Sequence, residues 1–173
     1  MHILVAEDNR VNQKLIQRLI SRIPGATCTI VGDGQQALNY LSSPPSACPR
    51  PNIILMDISM PVLSGLGATS TIRTQPPFAT DPVIASTPIV ALTASRMWGE
   101  SERLAAKGFD DYLTKPIRRD SLTKLVYFWA SRRVVPRQGG LAVPPTGNVA
   151  VMPPAMQWGP MPLRAFRGPR SLL

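Results

Sequence analysis

Four side chains, far apart in the sequence, hold most of the chemistry available to this chain: the acidic pair Glu7 and Asp8, Asp57 closing the apolar run Ile53-Ile54-Leu55-Met56, and Lys115, which precedes Pro116 and follows Asp110-Asp111-Tyr112. Each lies just after a short apolar stretch. Where strands alternate with helices, such positions are the carboxyl ends of parallel strands, the edge at which open α/β sheets assemble their sites. Three carboxylates gathered there repel one another unless a cation sits among them. Oxygen ligands alone suit a hard ion. Few protein ligands with room for water favour Mg²⁺ over Ca²⁺, and the lack of His or Cys nearby argues against zinc. Taken singly, Asp8 and Asp57 read as ordinary caps of helices or loops. Together, at strand ends, they point to a metal-linked site.

The elements that must position these residues follow from hydrophobic periodicity. His2 to Ala6 reads as a strand and Asn9 to Ile23 as a helix, with Val11, Leu15, Leu19 and Ile23 recurring every fourth residue and Pro24-Gly25 ending it. Thr27 to Val31 is a second strand, and Asp33-Gly34 opens a helix carrying Ala37, Leu38 and Leu41. Ser42 to Pro51 is a proline-rich loop. Ile53 to Met56, apolar without alternation, is a strand buried on both faces. Gly65 and Gly67 precede a helix to about Arg73, and Thr74 to Pro88 is a second proline-punctuated loop. Ile89 to Leu92 and Phe109 to Leu113 are the remaining strands. Helices follow each, from Trp98 to Lys107 and from Asp120 to Arg132, the last with Leu122, Leu125, Val126 and Trp129 on one face. Five strands with a helix after each, four of them crossovers between strands, must be parallel. The expected fold is a flavodoxin-like doubly wound sheet of order 2-1-3-4-5, whose pocket lies where strand order reverses, between the first and third strands.

The formal charge of +9 suggests a polyanion partner, but four of these charges are Arg137, Arg164, Arg167 and Arg170, leaving +5 on residues 1–133. No helix-turn-helix or zinc-finger pattern accompanies them, so specific nucleic-acid binding is not expected. Residues 134–173 are rich in Pro, Gly and Arg and contain no acidic residue or period, which predicts a disordered basic tail after a single domain at 1–133. Cys28 reads as a small core residue, and Cys28 with Cys48 makes neither a metal cluster nor a disulfide framework. No apolar run approaches the ~18 residues of a membrane span, and no signal peptide is evident, so the expectation is a cytoplasmic protein with nuclear entry left open.

The strings Val5-Ala6-Glu7-Asp8-Asn9, Met56-Asp57-Ile58-Ser59-Met60-Pro61 with Gly65, Ala91-Leu92-Thr93-Ala94 and Asp110-Asp111-Tyr112-Leu113-Thr114-Lys115-Pro116 together resemble the receiver domain of two-component response regulators, in wording most like the receivers of hybrid histidine kinases. The resemblance implies that Asp57 is the phosphoacceptor, Asp8 a direct Mg²⁺ ligand, Glu7 a second acid acting through metal-bound water, and the Ser59 carbonyl a further ligand. It implies that Thr93 binds the phosphoryl group, that Lys115 is its cationic partner, and that the Tyr112 ring turns after phosphorylation. The donor would be a histidine kinase or a histidine phosphotransfer protein; the downstream effector is unknown.

These roles are physically coherent. A carboxylate attacks phosphorus only if charge on the transferring oxygens is neutralised, and Mg²⁺ with a compact ammonium does this. A hydroxyl at the end of the fourth strand adds a directional hydrogen bond whose movement reports the phosphoryl group, and the face of the fourth helix, fifth strand and fifth helix would change partners. Such a protein is a signalling phosphoacceptor that catalyses only its own phosphotransfer and slow dephosphorylation. Two other classes compete. A phosphorylation-independent docking module would keep the fold and use the Arg-rich tail on an acidic partner. An aspartyl-phosphate phosphatase would carry a second Asp two residues after its nucleophile, where this chain has Ser59. Neither a Walker loop nor a dinucleotide Gly motif appears.

Overall fold

The computed structural model describes residues 1–94 and 100–131. Five strands, β1 (His2–Ala6), β2 (Thr27–Val31), β3 (Ile53–Asp57), β4 (Ile89–Thr93) and β5 (Asp111–Thr114), form one parallel sheet in the order β2-β1-β3-β4-β5. Register is unambiguous: Val5 faces Ile30 and Leu55, Asp57 faces Leu92, and Thr93 faces Thr114. Strands β3 and β4 are buried along their whole length, as their unbroken apolar sequence requires.

Alternation within each strand divides the core into two layers. Ile3, Val5, Ile53, Leu55, Val90 and Leu92 face one side, where α1 (Arg10–Ile20) and α6 (Arg119–Ser131) cover them with Ile16, Leu19, Ile20, Leu122 and Val126. Leu4, Ala6, Ile54, Met56, Ile89 and Ala91 face the other, under α2 (Gly34–Ser42), α3 (Gly65–Thr74), α4 (Pro82–Ser86) and α5 (Glu100–Ala106). The doubly wound sheet expected from sequence is the observed fold.

Several local expectations are corrected. Helix α1 stops at Ile20, and its buried stripe is Ile16, Leu19 and Ile20. Val11 and Leu15 are 74% and 39% exposed. A strict four-residue repeat drifts ~40° per step around a 3.6-residue helix, so the whole Val11-to-Ile23 series cannot stay on one face. Between Thr74 and Pro88 lies α4, a sixth helix, and Phe78 and Ile84 from this segment are core residues. Its start was written in Asp81-Pro82: the Asp81 carboxylate accepts from the amides of Val83 and Ile84, and proline occupies the first helical turn. Strand β3 extends to include Asp57, and β5 runs Asp111–Thr114 rather than from Phe109. The expected tail at 134–173 and the start, at Trp98, of the expected fourth helix lie outside the described residues.

The two long loops are joined to the frame by arginines. Arg50 donates to the carbonyls of Leu41 and Ser43 and reaches Asp81 at 3.4 Å, tying the α2–β3 loop to α4. Arg73, near the end of α3 with its side chain 9% exposed, donates to the carbonyls of Gly108, Ala85 and Thr87 at 2.8–3.0 Å and to Asp110 Oδ2 at 2.6 Å. The same Asp110 oxygen accepts from the Ile89 amide, so one ion pair registers α3, α4, β4 and the approach to β5. Gly108 has φ +94°, and a Cβ there would stand 2.6 Å from Arg73 Cγ, which accounts for glycine at this turn.

Candidate functional site

Glu7 and Asp8 follow β1, Asp57 ends β3, Thr93 ends β4 and Lys115 follows β5, so four separate strands deliver their chemistry to one edge of the sheet. Glu7 is fully buried, Asp57 and Thr93 nearly so, and Asp8 is exposed. Oxygens of Glu7, Asp8 and Asp57 all lie within 4.8 Å of one another. Lys115 Nζ stands 2.6 Å from Asp57 Oδ2 and 2.8 Å from Glu7 Oε2. Its contact with Asp57 is a hydrogen bond, whereas Glu7 Oε2 has the charge beside it but no hydrogen-bond donor in line. A buried carboxylate oxygen in that condition faces the cluster with an unused lone pair.

The other half of Glu7 is fully engaged, by residues that sequence reading did not single out. Oε1 accepts from Asn12 Nδ2 at 2.9 Å and from the Asn9 amide at 3.3 Å, and the Glu7 carbonyl accepts from Gln13 Nε2 at 2.6 Å. Asn9 also caps α1 by accepting from the amides of Val11 and Asn12. The first turns of α1 thus fix the carboxylate that has least access to water. The available signal was the row of amide side chains at Asn9, Asn12 and Gln13, which reads from sequence only as a polar helix start.

Asp57 Oδ1 accepts from the Ser59 amide at 3.3 Å, and the turn beyond it is closed by Gly65, whose amide donates to Ile58 O at 3.0 Å. A Cβ on Gly65 would collide with the Asp57 carbonyl oxygen, so only glycine lets α3 begin this close to the acid. Between them Val62 takes φ +62° while 84% exposed, an outlying conformation for a β-branched residue. Tyr112 is half-buried opposite Ala91 and packs on the core layer shared with Phe109 and Leu104. The Lys115 amide donates to Thr93 O at 2.8 Å, which joins the ends of β4 and β5.

Burial, followed by the negative charge of Glu7, pushes the Asp57 carboxyl above its ordinary range despite the opposing hydrogen bond from Lys115. For Lys115, burial alone would lower the pKa, but the close contacts and charges of Asp57 and Glu7 outweigh it and raise it. The ammonium is therefore secured while the acid beside it is strained in its charged form. Three carboxylates against one ammonium leave the ionised site at −2. An all-oxygen donor set, net negative charge and an unused buried oxygen are what a small hard divalent cation requires, so the residues fit Mg²⁺.

Comparison with known proteins gives the same picture. The chain is 42% identical over 124 residues to hybrid signal transduction histidine kinase I of Dictyostelium discoideum, a match covering 72% of this chain and 7% of that protein. It is 36% identical over 127 residues to the sensor histidine kinase GacS of Pseudomonas protegens, covering 73% of this chain and 13% of the kinase. The chain thus spans a small part of these relatives. Among solved structures, the receiver domain of a sensor histidine kinase from Pseudomonas aeruginosa PAO1, with magnesium coordinated in its active-site cleft, is 36% identical with a TM-score of 0.60, covering 74% of this chain and 95% of that one. Among the described residues no helix is long and apolar enough to cross a membrane. The family model for the response regulator receiver domain matches residues 3–127, from within β1 into α6, and the chain belongs to that family.

Proposed function

We propose that this receiver accepts a phosphoryl group on Asp57 from the phosphohistidine of a histidine kinase or histidine phosphotransfer protein. One observation carries the assignment: a single ammonium, on Lys115, sits within 2.8 Å of buried oxygens from both Asp57 and Glu7 at the sheet edge where Asp8 and Thr93 also end. A carboxylate oxygen of Asp57 attacks phosphorus, an acyl-phosphate P–O bond forms, and the P–N bond to the donor imidazole breaks with its electron pair leaving on nitrogen. Lys115 turns from the Asp57 oxygen to a phosphoryl oxygen, and the Thr93 hydroxyl donates to another. Bound by Asp8, Asp57 and the Ser59 carbonyl, with Glu7 acting through water, Mg²⁺ would supply charge neutralisation of the transferring group.

Drawing Thr93 toward the phosphoryl group opens space on the core side of β4, and the Tyr112 ring turns into it. The face built from α5, β5 and α6, which is the expected fourth helix, fifth strand and fifth helix once α4 is counted, then presents a new surface to a downstream partner. Water slowly returns Asp57 to its free state, so the protein is a signalling phosphoacceptor and not a multiple-turnover enzyme. Residues 1–133 form this unit, and 134–173 are a basic tail by composition.

The test is intact-mass spectrometry of the full chain with a small-molecule phosphodonor, with and without Mg²⁺, alongside Asp57→Asn. One phosphoryl group gained only with Mg²⁺ and only by the natural sequence is the expected result. No adduct on a folded chain, under conditions that preserve acyl phosphates, would leave a docking module that works without phosphorylation.

A further inference from the structure

Along the edge of the sheet farthest from β5, α1 and β2 leave an open groove of about 580 Å³ lined by Arg10, Gln13, Lys14, Gln17, Cys28 and Ile30. Apart from Gln13, which holds the Glu7 carbonyl, none of these touches the acidic cluster. Its wall is cationic at Arg10 and Lys14, one helical turn apart on α1; both are exposed, and among the described residues neither forms an ion pair. Helix α1 contains no acidic residue.

The floor is the edge strand. The Thr27 amide donates to Met1 O and the Val31 carbonyl accepts from the Glu7 amide, so in the parallel ladder the backbone groups of Thr27, Thr29 and Val31 face β1. Those of Cys28 and Ile30 therefore point away from the sheet. The two half-buried residues that floor the groove are the ones whose main chain is open to another strand.

We infer that this groove binds an extended acidic segment of a partner protein by strand addition to β2, with two carboxylates, two residues apart, meeting Arg10 and Lys14. The spacing matches: four residues of helix rise ~6 Å, and same-face residues of a strand are ~6.6–6.8 Å apart. Charge excludes nearer occupants. Residues 134–173 carry four arginines and no acid, and a second copy brings a net +9 of its own.

The experiment is fluorescence anisotropy of a labelled peptide of alternating Glu and Thr, about ten residues long, titrated with the full chain. Saturable binding is expected, weakened at least ~10-fold by the double substitution Arg10→Gln with Lys14→Gln, falling with salt, and unchanged by Asp57→Asn. The same peptide N-methylated at alternate residues keeps its charge but cannot pair with β2, and must lose affinity comparably. Absence of saturable binding, equal binding of the N-methylated peptide, or equally tight binding of a single-stranded oligonucleotide of matched charge would each overturn the inference.

Discussion

Replacing Asp57 by Asn should stabilise the metal-free protein at neutral pH, although the carboxylate accepts a 2.6 Å hydrogen bond from Lys115. At an effective dielectric constant of ~20, repulsion from a Glu7 oxygen up to 4.8 Å away is ~3.5 kcal/mol, and attraction to Lys115 at 2.6 Å is ~6 kcal/mol. Asp8 adds less because it is exposed. Coulomb forces alone thus favour the charged acid by ~2–3 kcal/mol, and the several kcal/mol needed to bury a carboxylate exceed that. The raised pKa of Asp57 has the same sign. A raised acid stabilises the fold below its unfolded pKa and loses that contribution as pH rises through its folded value, so at pH 7 the charge is a liability.

The amide leaves Lys115 beside Glu7 at 2.8 Å and strands no ammonium, so the net gain should be ~1–2 kcal/mol. Urea denaturation in chelator measures it directly. Mg²⁺ should then close the gap, adding ~1.4 kcal/mol to the natural sequence at ten times its dissociation constant and much less to two controls that lack the acid, Asp57→Asn and Asp57→Ala. A loss of more than ~1 kcal/mol in Asp57→Asn with chelator present, or equal Mg²⁺ responses in all three proteins, would refute this account of the site's electrostatics.

Three further outcomes are expected. Arg73→Met should cost ~3–5 kcal/mol in chemical denaturation, because it removes the guanidinium beside the Asp110 charge and the donors to three carbonyls, and Arg73→Lys should recover little since one ammonium cannot reach all four acceptors. Val62→Gly should raise stability by up to ~1 kcal/mol by relieving the left-handed backbone at an exposed site, read as an increase in denaturation midpoint. Asp111 is raised chiefly by burial, with Asp110 adding to it, so its contribution is present at low pH and lost as pH rises through the folded value; Asp111→Asn should flatten that limb of the stability–pH profile while keeping an acceptor for Trp129 Nε1.

Much of this was legible because strand ends are marked by composition. The unbroken apolar run before Asp57 identified β3 as buried on both faces, and the reversal of strand order then placed Glu7, Asp8 and Asp57 together. What escaped was tertiary. The Thr74 to Pro88 segment looked like loop because prolines dominate it, yet Phe78 and Ile84 are buried and Asp81 caps a helix. The apolar repeat of α1 concealed that Val11 and Leu15 face outward, since periodicity gives a stripe's width but not which edge the sheet covers. The support of Glu7 by Asn12 was invisible because an amide in a first helical turn carries no mark of its target.

The division of the site among strands also sets the order in which its charges occur along the chain. Pairing β1 with β3, the central neighbours, already confronts Glu7 with Asp57, while the ammonium that tempers them arrives only when β5 docks outside β4. Along the chain, the opposed carboxylates thus come first and their relief comes with the last strand. A chain lacking β5 would hold an acidic sheet edge without its counter-charge, so completion of the sheet and completion of the Lys115–Asp57–Glu7 cluster are a single event.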